Sequence, residues 1–171
     1  MTLSTFAGMS QSAGFYNFKV KTLEGQIFDF ASLKGKKVMI VNTASKCGFT
    51  PQYKDLEELY KKFGGNDFVI IGFPANNFAS QEPGTAVEIR KFCTESYGVT
   101  FPLMEKISVK GNDMHPLYQW LTSKSKNGMM DSEVKWNFQK YLIDGNGKLV
   151  DVVYSKEDPL SDKIISWLSA K

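Results

Sequence analysis

Residues 38–51 read VMIVNTASKCGFTP, and this run passes from a strand pattern to a helix start around a single cysteine. Residues 37–43 are rich in apolar and β-branched side chains, which predicts a strand buried inside a sheet. Pro51 is well suited to a first helical turn. Cys47 therefore lies where the strand gives way to the helix, and the unpaired N–H groups at such a point favour a thiolate. The thiolate is the form of cysteine that attacks peroxides and disulfides.

The sequence on either side predicts alternating strands and helices. The predicted strands are a hairpin over residues 15–30 that turns at residues 23–26, then residues 68–73, 136–143 and 148–154. The predicted helices start near Pro51, behind Thr85 with a capping box at Glu88, near Pro116, and behind Asp158-Pro159. This order predicts an α/β, thioredoxin-like fold: a central mixed β-sheet flanked by helices, with an N-terminal β-hairpin. In such sheets functional groups collect beyond the strand C-termini, where Cys47 and Gln81 lie.

Length and charge restrict the class of protein. The chain has 171 residues, 42% of them hydrophobic, which predicts one domain over residues 15–171 behind a flexible tail of residues 1–14. The net charge of +3 is spread along the chain and does not indicate a nucleic-acid partner. The tail resembles neither a secretory signal nor a transit peptide, and no apolar run is long enough to span a membrane. We therefore expect a cytoplasmic protein with reduced thiols.

The chain has two cysteines, Cys47 and Cys93, and one histidine, His115. Two distant cysteines form neither a disulfide scaffold nor a zinc site, and they lack the Cys-x-x-Cys spacing of a dithiol reductase. His115 could serve as the base of a Cys–His hydrolase, but its place before a short helix favours a structural role. The glycines form no nucleotide-binding motif, so we expect neither a metal nor a cofactor.

Several segments resemble the signatures of the glutathione peroxidase family. They are NTASKCGFT (42–50), FPANNF (73–78) with QEPG (81–84), and KWNF (135–138). The segment CTESYGVTFP (93–102) resembles the non-selenium members that carry a second, resolving cysteine. The resemblance extends from Phe15 over nearly the whole chain. Two positions differ: Ala75 stands where many relatives have a further cysteine, and Asn77 where they often have glutamine.

The resemblance implies a catalytic tetrad of Cys47, Gln81, Trp136 and Asn137. Amide and indole N–H groups stabilise a thiolate or the oxygen that leaves the peroxide. Each residue has another interpretation when taken alone: Cys47 as a buried apolar residue, Gln81 as an ordinary loop residue, and Trp136 as part of the core. The neighbouring signatures favour the catalytic roles.

Cys93 also has two interpretations. It shares the apolar face of its helix with Ile89, Phe92 and Tyr97, where an inert core cysteine would lie. The resemblance implies instead that Cys93 resolves the sulfenic acid of Cys47 and forms a Cys47–Cys93 disulfide. Because a disulfide needs Cα atoms within about 7 Å, this step would require local unwinding of the helix.

The function implied is that of a thiol peroxidase without a cofactor. Its substrates would be hydrogen peroxide and organic or lipid hydroperoxides, and thioredoxin or a related dithiol protein would regenerate it, with glutathione left open. The resemblance also implies a monomer, because the interval between Pro102 and Trp136 lacks the longer insert that relatives use to form tetramers. Two alternatives remain: a peroxide sensor or thiol relay that oxidises a client protein, and a redox-inactive thioredoxin-like binding domain.

Overall fold

The computed structural model describes residues 14–171. The predicted flexible tail, apart from Gly14, lies outside these residues. The described chain forms six strands: β1 (Lys19–Lys21), β2 (Ile27–Asp29), β3 (Lys37–Thr43), β4 (Phe68–Pro74), β5 (Lys140–Ile143) and β6 (Leu149–Val153). Five α-helices accompany them: α1 (Gln52–Phe63), α2 (Ala86–Tyr97), α3 (Pro116–Thr122), α4 (Lys124–Asn127) and α5 (Asp162–Ser169).

The central sheet has the strand order β4-β3-β5-β6. Strand β3 pairs parallel with β4 and antiparallel with β5, which in turn pairs antiparallel with β6. The sheet is therefore mixed, as the sequence predicts. Every residue of β4 is buried, and so is every residue of β3 after Lys37. Strands buried on both faces read as continuous apolar runs, which explains why the sequence identifies these two so clearly.

Two hydrophobic cores lie on opposite faces of the sheet. Alternate residues of β3 point to opposite sides, with Val38 and Ile40 in one core and Met39 and Val41 in the other. The first core receives α3 and the N-terminal segment, and the second receives α1, α2 and α5. Within residues 14–171, no helix is long and apolar enough to cross a bilayer.

The β1–β2 hairpin joins the central sheet through residues 102–105, called here the edge segment. Gly72 of β4 donates to the Pro102 carbonyl at 2.9 Å and accepts from the Met104 amide at 2.9 Å. On its other side, the Glu105 amide donates to the Lys21 carbonyl at 2.8 Å. Gly72 has no room for a side chain, because a Cβ atom there would come within 2.6 Å of a Leu103 methyl group.

Several local predictions are confirmed. The hairpin turns between β1 and β2 with Gly25 at φ +82°, and α1 begins directly after Pro51. Thr85 and Glu88 form the predicted capping box of α2. Helix α5 begins later than expected, because residues 158–161 first form a turn in which the Ser161 amide donates to the Asp158 carbonyl at 3.0 Å.

The predicted strand over residues 136–143 is wrong in its first half. Strand β5 begins at Lys140, and residues 136–138 form a turn in which Phe138 has a φ of +63°. A left-handed conformation is costly for a bulky residue. Two bonds stabilise it: the Phe138 amide donates to the Asn42 carbonyl at 2.7 Å, and the Asn42 side chain donates to the Trp136 carbonyl at 3.1 Å. The completely buried Phe138 ring adds packing.

Candidate active site

Cys47 lies in a turn between β3 and α1, as predicted for the strand-to-helix transition. The Thr50 amide donates to the Cys47 carbonyl at 3.0 Å, and similar turns continue through residue 53 into α1. Cys47 precedes the first helical residue, Gln52, by about one turn. Its side chain is nearly covered, with 8% of the residue exposed.

The Cys47 sulfur has a backbone donor in this turn. The Phe49 amide donates to Cys47 Sγ at 3.3 Å. The side chain of Thr50 fixes the turn: its Oγ1 donates to the Ala44 carbonyl at 2.8 Å and accepts from the Cys47 amide at 2.9 Å. The Phe49 amide is therefore placed to donate to negative charge that develops on the sulfur.

Gln81 and Asn137 join this turn through hydrogen bonds. The Lys46 amide donates to the Gln81 carbonyl at 3.0 Å, next to Cys47 in the chain. Asn137 Nδ2 donates to Gln81 Oε1 at 2.9 Å. That bond occupies the oxygen of Gln81 and not its N–H groups, which are the part of the amide that a thiolate or leaving oxygen requires. Asn137 is completely buried.

Trp136 lies at the same end of the sheet. Its ring packs on Phe78 with centroids 5.4 Å apart, and it contacts the core cluster that contains Cys47. The structure therefore brings the four predicted tetrad residues to one sheet edge. Hydrogen bonds connect the Cys47 turn to Gln81 and Gln81 to Asn137, and Trp136 directly precedes Asn137 in the chain.

Backbone strain is concentrated beside these residues. In the part of the chain that the structure describes, the non-glycine residues with positive φ are Ala79 at 52°, Ser80 at 52° and Phe138 at 63°. The first two precede Gln81, and the third follows Asn137. Such conformations cost on the order of 1–3 kcal/mol each and persist where the surrounding structure imposes them. Here they direct Gln81 and Asn137 towards each other.

Cys93 lies on the buried face of α2. This position agrees both with an inert core cysteine and with a resolving cysteine. Its side chain is completely buried and both cysteines are free thiols. Burial raises the pKa of the Cys93 thiol to about 11, and the Tyr53 hydroxyl offsets only part of this effect. A pocket of about 370 Å³ lies between the Cys47 turn and α2, with Ser45 and Lys46 on one side and Ile89 and Phe92 on the other.

Two residues of the site, Thr50 and Glu82, were not predicted to be functional, although both lie in the segments that resemble the family, 42–50 and 81–84. Thr50 follows Cys47 by three positions, and a hydroxyl at that spacing is a local signal of a turn. Glu82 lies in a polar loop and is only 1% exposed, which is rare for a glutamate. His115 has a structural role: its Nδ1 accepts from the Leu117 amide at 3.1 Å and caps α3. Within residues 14–171 no group of three or more His, Cys, Asp or Glu side chains could hold a metal ion.

Comparisons with known proteins agree on one family. The model of the family described as glutathione peroxidase matches residues 15–122. Glutathione peroxidase-like peroxiredoxin 2 of Saccharomyces cerevisiae is 49% identical over 160 residues, which cover 92% of this chain and 99% of the relative. Hydroperoxy fatty acid reductase gpx1 of Synechocystis is 46% identical over 140 residues, which cover 79% of this chain and 83% of the relative.

Solved structures support the same conclusion. The crystal structure of Trgpx in apo form has a TM-score of 0.70 and 41% identity, covering 93% of this chain and 97% of that one. A thioredoxin-family thiol:disulfide interchange protein from Chlorobium tepidum has a TM-score of 0.62 and 21% identity, covering 88% of this chain and 92% of that one. The second likeness concerns the fold alone, and it confirms the predicted thioredoxin-like arrangement.

Proposed function

The chain belongs to the glutathione peroxidase family, and from this premise we propose that it reduces hydroperoxides through Cys47. The protein is a thiol peroxidase. The observation that carries the assignment to Cys47 is the network around it: a backbone N–H at the sulfur and a turn bonded to Gln81, which is bonded in turn to Asn137.

In the first step the Cys47 thiolate attacks the outer oxygen of the hydroperoxide. A sulfur–oxygen bond forms and the O–O bond breaks, leaving Cys47 as a sulfenic acid and an alkoxide or hydroxide that takes up a proton. The N–H groups of Gln81, Trp136 and Asn137 are suited to stabilise the negative charge as it moves from sulfur to the departing oxygen. None of these three side chains carries a charge that would repel the thiolate.

In the second step Cys93 attacks the sulfenic acid and forms a disulfide with Cys47. Because Cys93 is completely buried in α2, this step requires part of the helix to open. The pocket between the Cys47 turn and α2 provides space for that movement. The resemblance of residues 93–102 to members with a resolving cysteine supports this role.

A dithiol protein of the thioredoxin type then reduces the disulfide and restores both thiols. An intramolecular disulfide is the natural substrate of such a reductant. Glutathione is a second candidate, since it could reduce the sulfenic acid of Cys47 directly. Substrates include hydrogen peroxide and organic hydroperoxides, and the relative named for hydroperoxy fatty acids extends the proposal to lipid hydroperoxides.

A peroxide sensor or thiol relay is the second candidate function, and the burial of Cys93 favours it. If α2 opens slowly, the sulfenic acid on Cys47 persists long enough to react with a thiol of another protein. A mixed disulfide between Cys47 and one particular client, trapped in Cys93→Ser, would support the relay.

Steady-state turnover of wild type, Cys47→Ser and Cys93→Ser, with thioredoxin and glutathione supplied separately, tests the cycle. We expect Cys47→Ser to lose all activity and Cys93→Ser to lose only the thioredoxin-dependent part. If Cys93→Ser turns over with thioredoxin as fast as wild type, Cys93 is a core residue. If wild type reacts once and no reductant sustains turnover, the relay is the better description.

Two further properties belong to this proposal. The short interval before Trp136 supports a monomer, which sedimentation of the reduced protein tests. The low cysteine content, with no disulfide scaffold, supports a reducing compartment such as the cytoplasm, which fractionation of cells with an antibody to the chain tests.

A further inference from the structure

Glu82 is a buried charged residue in the wall of a pocket beside the Cys47 turn. It lines the pocket that separates the Cys47 turn from α2, together with Ser45, Ile89 and Phe92. Glu82 is 1% exposed, and no described residue donates a hydrogen bond of good geometry to its buried Oε2 atom. Ser45 is the hydrogen-bonding neighbour of the carboxyl, but a buried carboxylate with one unpartnered oxygen is costly and calls for an explanation.

The charge of Glu82 acts on the resolving thiol. Burial raises the pKa of the Glu82 carboxyl, and Ser45, Lys106 and Lys46 offset only part of that effect. Burial is the largest influence on the pKa of the Cys93 thiol, and the Tyr53 hydrogen bond is the second. The negative charge of Glu82 comes third and raises this pKa further. The groups that face the carboxyl are thus Ser45 and Lys46 of the Cys47 turn, Lys106 beyond the edge segment, Tyr53 of α1, and Cys93 of α2.

The resolving step needs a proton acceptor. With a pKa of about 11, the Cys93 thiol is almost entirely protonated near neutral pH. Only the thiolate is an effective nucleophile towards sulfur. The raised pKa of Glu82 makes its carboxylate a stronger base than an exposed glutamate. The pocket that Glu82 lines is bounded on its other side by Ile89 and Phe92 of α2, the helix that carries Cys93.

We propose that Glu82 takes the proton of Cys93 and delivers it to the hydroxide that leaves Cys47, a role that rests on the resolving step proposed above. The S–H bond of Cys93 breaks and its proton passes to Glu82. The thiolate attacks the Cys47 sulfur, the S–S bond forms, and the S–O bond breaks with its electron pair on oxygen. The hydroxide takes the proton from Glu82 and leaves as water. Cys93 is oxidised and the Cys47 sulfur is reduced.

Single-turnover experiments with Glu82→Gln test this role. Reduced protein is mixed with one equivalent of hydrogen peroxide, quenched with an alkylating reagent, and analysed by mass spectrometry for sulfenic acid and disulfide. Glutamine keeps the size of the side chain and cannot accept the proton. We expect disulfide formation near neutral pH to be about 10²-fold slower, the usual scale for loss of a general base. The control is Glu88→Gln, which removes the other carboxylate of the pocket and keeps the capping box.

The pH dependence separates this role from a purely structural one. The wild-type rate of disulfide formation should level off well below the pH at which the Cys93 thiol itself ionises, whereas the Glu82→Gln rate should keep rising towards that pH. A wild-type rate that rises steadily up to that pH overturns the proposal without any variant. An unchanged rate and profile in Glu82→Gln also overturns it, while the disulfide cycle itself stands. If wild type forms no Cys47–Cys93 disulfide, the resolving step and the role of Glu82 both fail.

Discussion

Replacement of Thr50 by valine should destabilise the protein and slow its reaction with peroxide. The Thr50 hydroxyl serves two buried backbone groups, the Ala44 carbonyl at 2.8 Å and the Cys47 amide at 2.9 Å. Valine has nearly the same shape but leaves both groups without a partner. Each unsatisfied buried group costs about 1–3 kcal/mol, so we expect the free energy of unfolding to fall by about 2–6 kcal/mol.

The same change loosens the turn that holds the Phe49 amide against the Cys47 sulfur at 3.3 Å. A hydrogen bond to a charged group contributes about 1.5–3 kcal/mol, and partial loss of it predicts a rate of sulfenic acid formation about tenfold lower. Urea unfolding of the reduced protein measures the first effect, and stopped-flow mixing with hydrogen peroxide measures the second.

Thr50→Ser is the matched control. It keeps the hydroxyl and removes one methyl group, so its cost should be about 1 kcal/mol. A wild-type free energy of unfolding in Thr50→Val, or equal damage in Thr50→Ser and Thr50→Val, would contradict this role of the hydroxyl.

Three other predictions concern titratable groups. Burial lowers the pKa of Lys140 from 10.5 to about 8, so below pH 8 the folded protein bears the full cost of burying a charged lysine. This cost is lost as pH rises from about 8 to about 10.5, because the folded protein releases the proton before the unfolded chain does. Measured by urea unfolding, the stability of wild type relative to Lys140→Met should therefore rise by about 3 kcal/mol over this window. The Cys93 thiol, with a pKa raised from 9.0 to about 11, should react with iodoacetamide about 100-fold more slowly than an ordinary cysteine. Labelling as fast as that of Cys47, followed by mass spectrometry, would mean that α2 is already open. Burial also lowers the pKa of His115, whose neutral ring caps α3 at Leu117. Because the unfolded chain then binds the proton first, acidification below about pH 6.5 should destabilise wild type more than His115→Asn, which caps without titrating. Equal acid sensitivity would contradict this.

Local signals account for the parts of the fold that the sequence predicts well. Strands β3 and β4 are buried on both faces and need apolar side chains at nearly every position, which leaves a continuous pattern in the sequence. Thr85 and Glu88 identify the start of α2, since a capping box involves only neighbouring residues. The position of Cys47 follows from the same strand and from Pro51.

Long-range contacts account for what the sequence does not predict. The turn at residues 136–138 depends on hydrogen bonds with Asn42, which lies far away in the chain. The hydrogen bond between Gln81 and Asn137 likewise follows from the packing of two separate loops. Glu82 and Lys140 are charged residues that the fold buries, and a pattern based on hydrophobicity assigns such residues to the surface.

The edge segment has a consequence for self-association. Strand β4 begins FVIIGF, an uncharged apolar run of the kind that forms cross-β aggregates when its edge is free to pair with another chain. The edge segment occupies that edge through its two hydrogen bonds with Gly72, and Leu103 packs where only a glycine leaves room. This short irregular piece of chain thus shields an aggregation-prone strand, and a larger residue at position 72 would displace it.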